Sequence, residues 1–169
     1  IHIENANNRD EFTGVLRRQG RMHPDIAKFP NKMFYFTENL PPVHLEHQTK
    51  QQLEYSLESI DYLDDALKAN RMVFIPSRFC KEPNISDKVN SEEAKIVTDI
   101  LRRIYRFYGV KFNADKTVGV IVPYRNQISM IRKEIEKLGI PQLEEISIDT
   151  VERYQGSQRD VIIYSFTIQ

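Results

Sequence analysis

The sequence predicts an α/β fold in which a parallel β-sheet is flanked by helices. Short apolar runs typical of buried strands alternate with longer segments whose apolar residues recur at helical spacing. This alternation is typical of parallel strands joined by right-handed helical crossovers. The predicted strands lie at residues 72–75, 118–122, 146–148 and 161–166.

Two long helices are predicted between these strands. Residues 90–93 read NSEE and resemble a capping box, in which a polar cap is followed three residues later by an acid. The first helix should end near Gly109, and the second should stop at Gly139 and Pro141. Their predicted apolar faces are Val97, Ile100, Leu101, Ile104 and Tyr108 in the first, and Ile128, Ile131, Ile135 and Leu138 in the second.

We expect residues 1–169 to form a single domain with a helical insertion at residues 44–70. The insertion is acidic, and its apolar residues recur at the spacing of an amphipathic helix that covers part of the core. These apolar residues are Leu53, Leu57, Ile60, Leu63 and Leu67.

Composition excludes several classes of protein. The 24 Lys and Arg residues balance 24 Asp and Glu residues, which argues against a stand-alone, highly basic nucleic-acid binder. Cys80 is the only cysteine, and His44 and His47 have no second ligand cluster, so neither a disulfide nor a metal site is predicted. No apolar run reaches the ~20 residues of a membrane span, and no signal peptide is visible. We therefore expect an intracellular protein, cytoplasmic or nucleoid-associated, without a membrane partner.

Four segments resemble motifs of superfamily 1 helicases and occur in the order of that family. They read QGRMHP at 19–24, NSEEAKIV at 90–97, GVIVPYRNQ at 119–127 and VERYQGSQRD at 151–160. The last resembles helicase motif V and is followed, as in that family, by an apolar strand. Together the segments span nearly the whole chain and are similar to the branch of nonsense-mediated-decay RNA helicases and replication helicase–nucleases.

The resemblance implies a RecA-like (P-loop NTPase-like) fold and the role of second, C-terminal motor domain. In this family two RecA-like domains bind ATP between them. The implied partners are the N-terminal RecA-like domain of the same polypeptide and single-stranded DNA or RNA, with 5′-to-3′ movement suggested by the branch. The implied cofactor is ATP with Mg²⁺, the metal being held by the N-terminal domain.

The resemblance also implies a set of nucleotide-binding residues. By their motif positions these are Gln19, Arg21, Gln155, Gly156 and Gln158. Arg21 is the implied catalytic residue, since a guanidinium at the γ-phosphate stabilises the charge of phosphoryl transfer and can contribute ~10³–10⁵ in rate. A surface salt bridge is the alternative for Arg21. Gly20 departs from the family, whose members usually carry there a Tyr that stacks on adenine, so nucleotide preference stays open.

Tyr124, Arg125 and Thr150 are the candidate nucleic-acid contacts. They follow predicted strands, and ligands of open parallel sheets bind beyond the carboxyl ends of the strands. The Tyr124 and Arg125 side chains suit bases and phosphates, and the resemblance implies that the Thr150 hydroxyl contacts a nucleic-acid phosphate. The alternatives are ordinary solvated loops with helix caps and, for Tyr124, packing of the ring against the following helix. Arginine clusters at residues 17–21 and 102–106 indicate either a nucleic-acid track or solvated surface.

No G-x-x-x-x-G-K-[ST] sequence and no strand-terminal Asp-Glu pair occur in these residues. We therefore expect an excised piece of a longer enzyme that does not hydrolyse ATP alone. Two hypotheses follow: the second motor domain of an ATP-dependent helicase or translocase, or a non-catalytic helicase-like module that binds nucleic acid or protein. A flavodoxin-like small-molecule enzyme would share the sheet but explains none of the four motif segments.

Overall fold

The structure, a computed structural model, describes residues 17–20, 22–37, 40, 41, 43, 57–77 and 88–167. The chain divides into two compact units. The first comprises residues 1–52 and 69–73, and the second comprises residues 53–68 and 74–169.

Helix α1, Pro24–Met33, is the helix described in the first unit. His23 caps it, because its Nδ1 accepts the Asp25 N–H at 3.2 Å. Pro24 takes the first helical position, where a missing N–H costs nothing and the fixed φ suits a helix. The His23 ring therefore has a structural role at the start of this helix.

The second unit contains a parallel sheet of three described strands. They are β1, Val118–Val122, β2, Ser147–Thr150, and β3, Val161–Tyr164. The strand order is β2-β1-β3, so β1 is central. The predicted strands at 118–122, 146–148 and 161–166 are confirmed with shifts of a residue or two at their ends, and the parallel α/β class is confirmed with them.

Helices flank this sheet. Along the second unit they are α2, Tyr62–Ala69, α3, Ser91–Tyr108, α4, Arg125–Glu136, α5, Pro141–Glu144, and α6, Val151–Tyr154. Helix α3 ends where predicted, at Gly109, whose φ of 50° is in the left-handed region favoured by glycine. A 3₁₀ turn, Gly109–Lys111, follows.

The core lies between the sheet and helices α3 and α4. Most residues of the two predicted apolar faces are buried or pack against this core. The fully buried Phe107 belongs to the buried side of α3, although the sequence analysis did not assign it there. The buried core residues are Ala94, Val97, Ile100, Leu101, Ile104, Val118, Val120, Val122, Ile131, Ile135, Leu143, Ile146, Ile148 and Ile163.

The predicted strand at residues 72–75 is wrong. Residues 70–77 contain no strand, and the Phe74 side chain is 76% exposed. Pro76 has no N–H to donate to a neighbouring strand, which disfavours sheet pairing directly after the apolar run. Ile75 lies outside any described strand and packs against the core, so its apolar side chain is explained by partial burial of a loop.

Helix α2 is shorter than the predicted amphipathic helix. Residues 44–56 of the predicted insertion lie outside the described residues. The Asp61 carboxylate accepts the backbone N–H groups of Leu63 and Asp64, each at 3.1 Å, and so caps a helix that begins at Tyr62. Leu57 and Ile60 precede the helix and are exposed, whereas Leu67 packs against the core as predicted.

Candidate functional site

The carboxyl ends of the three strands lie side by side. Val122, the last residue of β1, is paired with Thr150, the last residue of β2. On the other side, the Ser165 N–H donates to Ile121 O at 2.9 Å. The segments after each strand therefore emerge along one edge, which is where open parallel sheets bind their ligands.

Tyr124 is the residue before α4 at this edge, and its side chain makes no capping hydrogen bond to the helix. Tyr124 is 41% exposed, so part of its surface is accessible to a ligand. The Lys88 ammonium lies 5.7 Å from the ring centroid, within the range of a cation–π interaction. The ring is thus an accessible aromatic surface beside a positive charge.

Glu152 lies in α6, two residues after Thr150. The backbone N–H of Glu152, the Thr150 hydroxyl and the positive charge of Arg125 lower the pKa of the Glu152 carboxyl. Thr150 itself is buried, while Arg125 and Glu152 are exposed. Sequence reasoning assigned no role to Glu152, although it stands where the helicase motif has an acidic residue. The structure thus places a hydroxyl, a carboxylate and a guanidinium on adjoining segments of the edge.

The loop after α6 carries the predicted nucleotide-binding residues Gln155, Gly156 and Gln158. All three are exposed, and the Ser157 N–H donates to Tyr154 O at 3.0 Å to close a turn. Gly156 has a φ of 88°, a conformation that glycine adopts far more readily than other residues. The two glutamine side chains present amide donors and acceptors to the surface.

Tyr154 packs directly over Gly119 of β1. A Cβ atom at residue 119 would lie 1.6 Å from Tyr154 Oη, so only glycine fits beneath the ring. The ring is buried, which raises the pKa of Tyr154, and the Arg159 guanidinium lies 5.7 Å from its centroid. Arg159 in turn donates to Ser147 Oγ at 2.9 Å. Two motif segments distant in sequence therefore contact each other at this point.

A buried amide links the strand ends to helix α3. Gln127 Oε1 accepts the Asn90 N–H at 2.9 Å, and its Nε2 donates to Asn90 O at 3.0 Å and to Ser165 Oγ at 3.3 Å. Gln127 lies in the motif segment at 119–127, and no role was predicted for it from the sequence. Its burial could have been predicted, because Gln127 lies four and eight residues before Ile131 and Ile135 and therefore on the apolar face of α4.

The predicted capping box is formed only in part. Asn90 Oδ1 accepts the Glu93 N–H at 2.9 Å, as the cap requires. Glu93 does not return a hydrogen bond to the Asn90 N–H, which is bonded to Gln127. Its carboxylate instead accepts the N–H groups of Phe166 and Thr167 at 2.7 and 2.6 Å.

The predicted nucleotide-site residues at 19–21 belong to the first unit. Gln19 holds a tight turn, because its Oε1 accepts the Met22 N–H at 2.7 Å and its Nε2 donates to Met22 O at 2.9 Å. Its backbone also bonds to Pro41 and Val43. Arg21, the candidate catalytic residue, lies outside the described residues.

In the arginine cluster at 102–106, Arg103 and Arg106 pair with acidic residues before and within α2, whereas Arg102 is exposed and pairs with Asp99 at 2.6 Å. Arg103 donates to Asp61 and Asp64, each at 2.7 Å, and Arg106 also pairs with Asp64. Burial would raise the pKa of Asp64, but the Ile60 N–H and the two guanidinium groups outweigh it and lower that pKa to about 2. The acidic residues before and within α2 therefore hold that helix against α3.

In the described ranges, no three His, Cys, Asp or Glu side chains converge as a metal site would require. Among those residues there is also no helix long and apolar enough to cross a bilayer.

Comparison with known proteins gives the family. A family model described as an AAA domain matches residues 2–168. The chain is 29% identical to Helicase sen1 of Schizosaccharomyces pombe, with 89% of this chain and 8% of the relative covered. It is also 29% identical to an uncharacterized ATP-dependent helicase of Methanocaldococcus jannaschii, with 92% and 22% covered. Probable helicase senataxin of Homo sapiens is 30% identical, with 88% and 5% covered.

This chain therefore spans less than a quarter of each of these three relatives. The family model matches almost every residue, and the parallel sheet agrees with the RecA-like fold implied by the motifs. The chain belongs to this AAA-domain family and is a superfamily 1 helicase domain of the nonsense-mediated-decay branch.

Proposed function

We propose that this chain is the second motor domain of an ATP-dependent nucleic-acid helicase or translocase. The observation that carries the proposal is the common edge at which the segments after β1 and β2 emerge together, with Val122 paired to Thr150. These segments hold Tyr124, Arg125 and the loop with Gln155 and Gln158. An edge of this kind can bind a nucleotide and a nucleic-acid strand through neighbouring loops.

In this proposal the chain contributes only some of the residues that bind ATP. When bound, ATP supplies the phosphoryl group that is transferred to water. Arg21 stabilises the negative charge that spreads over that group, and Gln155 and Gln158 hydrogen bond to the nucleotide from the loop around Gly156. The exposed amides and the tight turn at Gly156 fit this task. The phosphate-binding loop and the Mg²⁺ ligands come from an N-terminal RecA-like domain of the same polypeptide.

The nucleic-acid side of the proposal uses the segment after β1. A base stacks on the exposed Tyr124 ring, while Arg125 and the neighbouring Lys88 contribute positive charge near the phosphates. Stacking accepts any base, so these contacts support binding of single strands without sequence preference. Thr150, the third proposed contact, lies at the same edge, where it pairs in register with Val122.

Replacing Arg21 by alanine in the full-length protein tests the motor assignment. We expect ATP hydrolysis to be stimulated by single-stranded DNA or RNA, and Arg21→Ala to lower kcat by at least ~10²-fold, because a transition-state charge stabiliser is lost. Lys32→Ala is the matched control: this cation is exposed on α1 and lies outside the arginine cluster at 17–21. Its kcat should stay within about twofold of the wild type if Arg21 acts at the phosphate.

Parallel assays with single-stranded DNA and RNA identify the preferred nucleic acid. Equal rates for Arg21→Ala, Lys32→Ala and the wild type would contradict the catalytic role of Arg21. A full-length protein without ATPase activity that still binds single strands would contradict the motor and point to a non-catalytic binding module.

A further inference from the structure

Glu93 holds the chain where it leaves β3. The carboxylate accepts the consecutive N–H groups of Phe166 and Thr167, one on each oxygen, at 2.7 and 2.6 Å. The two residues are more than seventy positions from Glu93 in sequence, so this is a tertiary contact and not a local cap. Hydrogen bonds to an ionised carboxylate are stronger than those between neutral groups.

The segment held by Glu93 has a strained backbone. Thr167 has a φ of 59°, in the left-handed region that β-branched residues rarely adopt. Its side chain is buried, and among the described residues its hydroxyl has no hydrogen-bond partner. Such conformations persist only when surrounding contacts enforce them, and they concentrate at functional sites. The Glu93 carboxylate supplies one such contact, directly at the Thr167 N–H.

The same segment is fixed from its other side. Ser165 donates its backbone N–H to Ile121 O at 2.9 Å, and its hydroxyl lies 3.3 Å from the Gln127 amide. Gln127 bonds in turn to Asn90, which caps the helix that carries Glu93. Residues 165–167 are therefore held by α3 and α4 at the edge that carries Tyr124 and Thr150.

We propose that Glu93 is a positioning residue of the motor, whose carboxylate sets the path of residues 165–167 along the ligand-binding edge of the sheet. This inference rests on the proposed function, since an edge that binds nucleotide needs its segments at fixed positions. Glu93 does not touch the nucleotide. It acts through the backbone that it orients, and a displacement of about 1 Å at such a segment is enough to slow a reaction severely.

Glu93→Gln in the full-length protein is the test variant. Glutamine has the same shape, but it offers an acceptor to only one of the two N–H groups and presents its NH₂ to the other. Glu92→Gln is the matched control, because it removes the same charge from the same helical turn. Glu92 pairs with Lys95 at 2.6 Å and leaves the Glu93 contact intact.

Two measurements are compared for both variants. Amide hydrogen exchange of residues 161–167 should become faster on the order of 10-fold in Glu93→Gln, while exchange in β1 stays unchanged. Nucleic-acid-stimulated kcat should fall by at least ~10-fold with an unchanged KM for ATP. A merely destabilised fold would accelerate exchange in β1 as well. Glu92→Gln should match the wild type in both assays.

The outcomes separate this inference from the proposed function. Equal exchange in Glu93→Gln and Glu92→Gln overturns the contact itself. Faster exchange with unchanged kcat overturns the positioning role and leaves a structural one. A wild-type protein without ATPase activity overturns the proposed function and the positioning role together, while the exchange measurement still decides whether Glu93 holds residues 165–167.

Discussion

Replacing Gly119 by alanine tests the contact between β1 and the motif V segment. The added Cβ would lie 1.6 Å from Tyr154 Oη and 2.6 Å from Cζ. Ordinary contact begins at 3.4 Å, so the end of the ring must move by roughly 1.8 Å. The backbone of Gly119 cannot move instead, because β1 is paired with a strand on each side.

The cost follows from this geometry. Overpacking a closely packed site costs about 1–3 kcal/mol, and tyrosine is too stiff to avoid the new methyl group by bending. A chain of this size loses roughly 2–4 °C in Tm for each kcal/mol, so we expect Tm to fall by roughly 2–12 °C. The displaced ring lies at the end of α6, directly before the loop with Gln155 and Gly156.

A double-mutant cycle isolates the contact. In a Tyr154→Leu background the end of the ring is absent, so Gly119→Ala should cost less than about 0.5 kcal/mol. Gly20→Ala is the matched control, since a Cβ there meets no atom within 4 Å and should change stability by less than about 0.5 kcal/mol. Thermal unfolding followed by circular dichroism measures each variant. The reasoning fails if Gly119→Ala costs the same in both backgrounds.

Two further predictions concern buried polar contacts. Gln127→Leu should lower the free energy of unfolding by about 2–4 kcal/mol, because it removes three buried hydrogen bonds, two to the Asn90 backbone and one to the Ser165 hydroxyl. The exposed Gln142→Leu should be nearly neutral, and a urea titration that finds equal midpoints for the two variants contradicts this prediction. Asp64→Asn should cost about 2 kcal/mol at pH 7 and the exposed Asp65→Asn almost nothing. The folded-state pKa of Asp64 is about 2, below its ordinary 3.8. The stability that the Asp64 carboxylate contributes is therefore complete above about pH 4 and is lost as the pH falls toward 2. If the difference in unfolding free energy between Asp64→Asn and the wild type stays constant over this range, the assignment is refuted.

The elements with strong local patterns could be predicted from the sequence. Helix α3 has a cap at Asn90, a regular apolar face and a terminal Gly109, and all three features are formed by neighbouring residues. The apolar run at 118–122 is flanked by turns and is short enough for a strand. The run at 72–75 looked similar but forms no strand, because pairing depends on a partner strand that local sequence does not specify.

The candidate site was predicted residue by residue from motif positions, but its internal contacts were not. From the sequence, Arg103 and Arg106 could belong either to a nucleic-acid track or to solvated surface. In the structure both pair with Asp64. From the sequence, Tyr124 could either contact nucleic acid or pack against the following helix. In the structure part of the residue is accessible. Each outcome depends on which distant side chain lies within a few ångströms, which residue type alone does not determine.

The sequence by itself determined the parallel α/β class, the apolar faces of α3 and α4, and the family, because periodicity and motif spacing are local properties of the chain. Only the tertiary structure decided that Gly119 lies under Tyr154, that Gln127 joins Asn90 to Ser165, and that Glu93 holds residues 165–167. These contacts join residues 35 to 74 positions apart, and their geometry exists only once the helices have packed on the sheet.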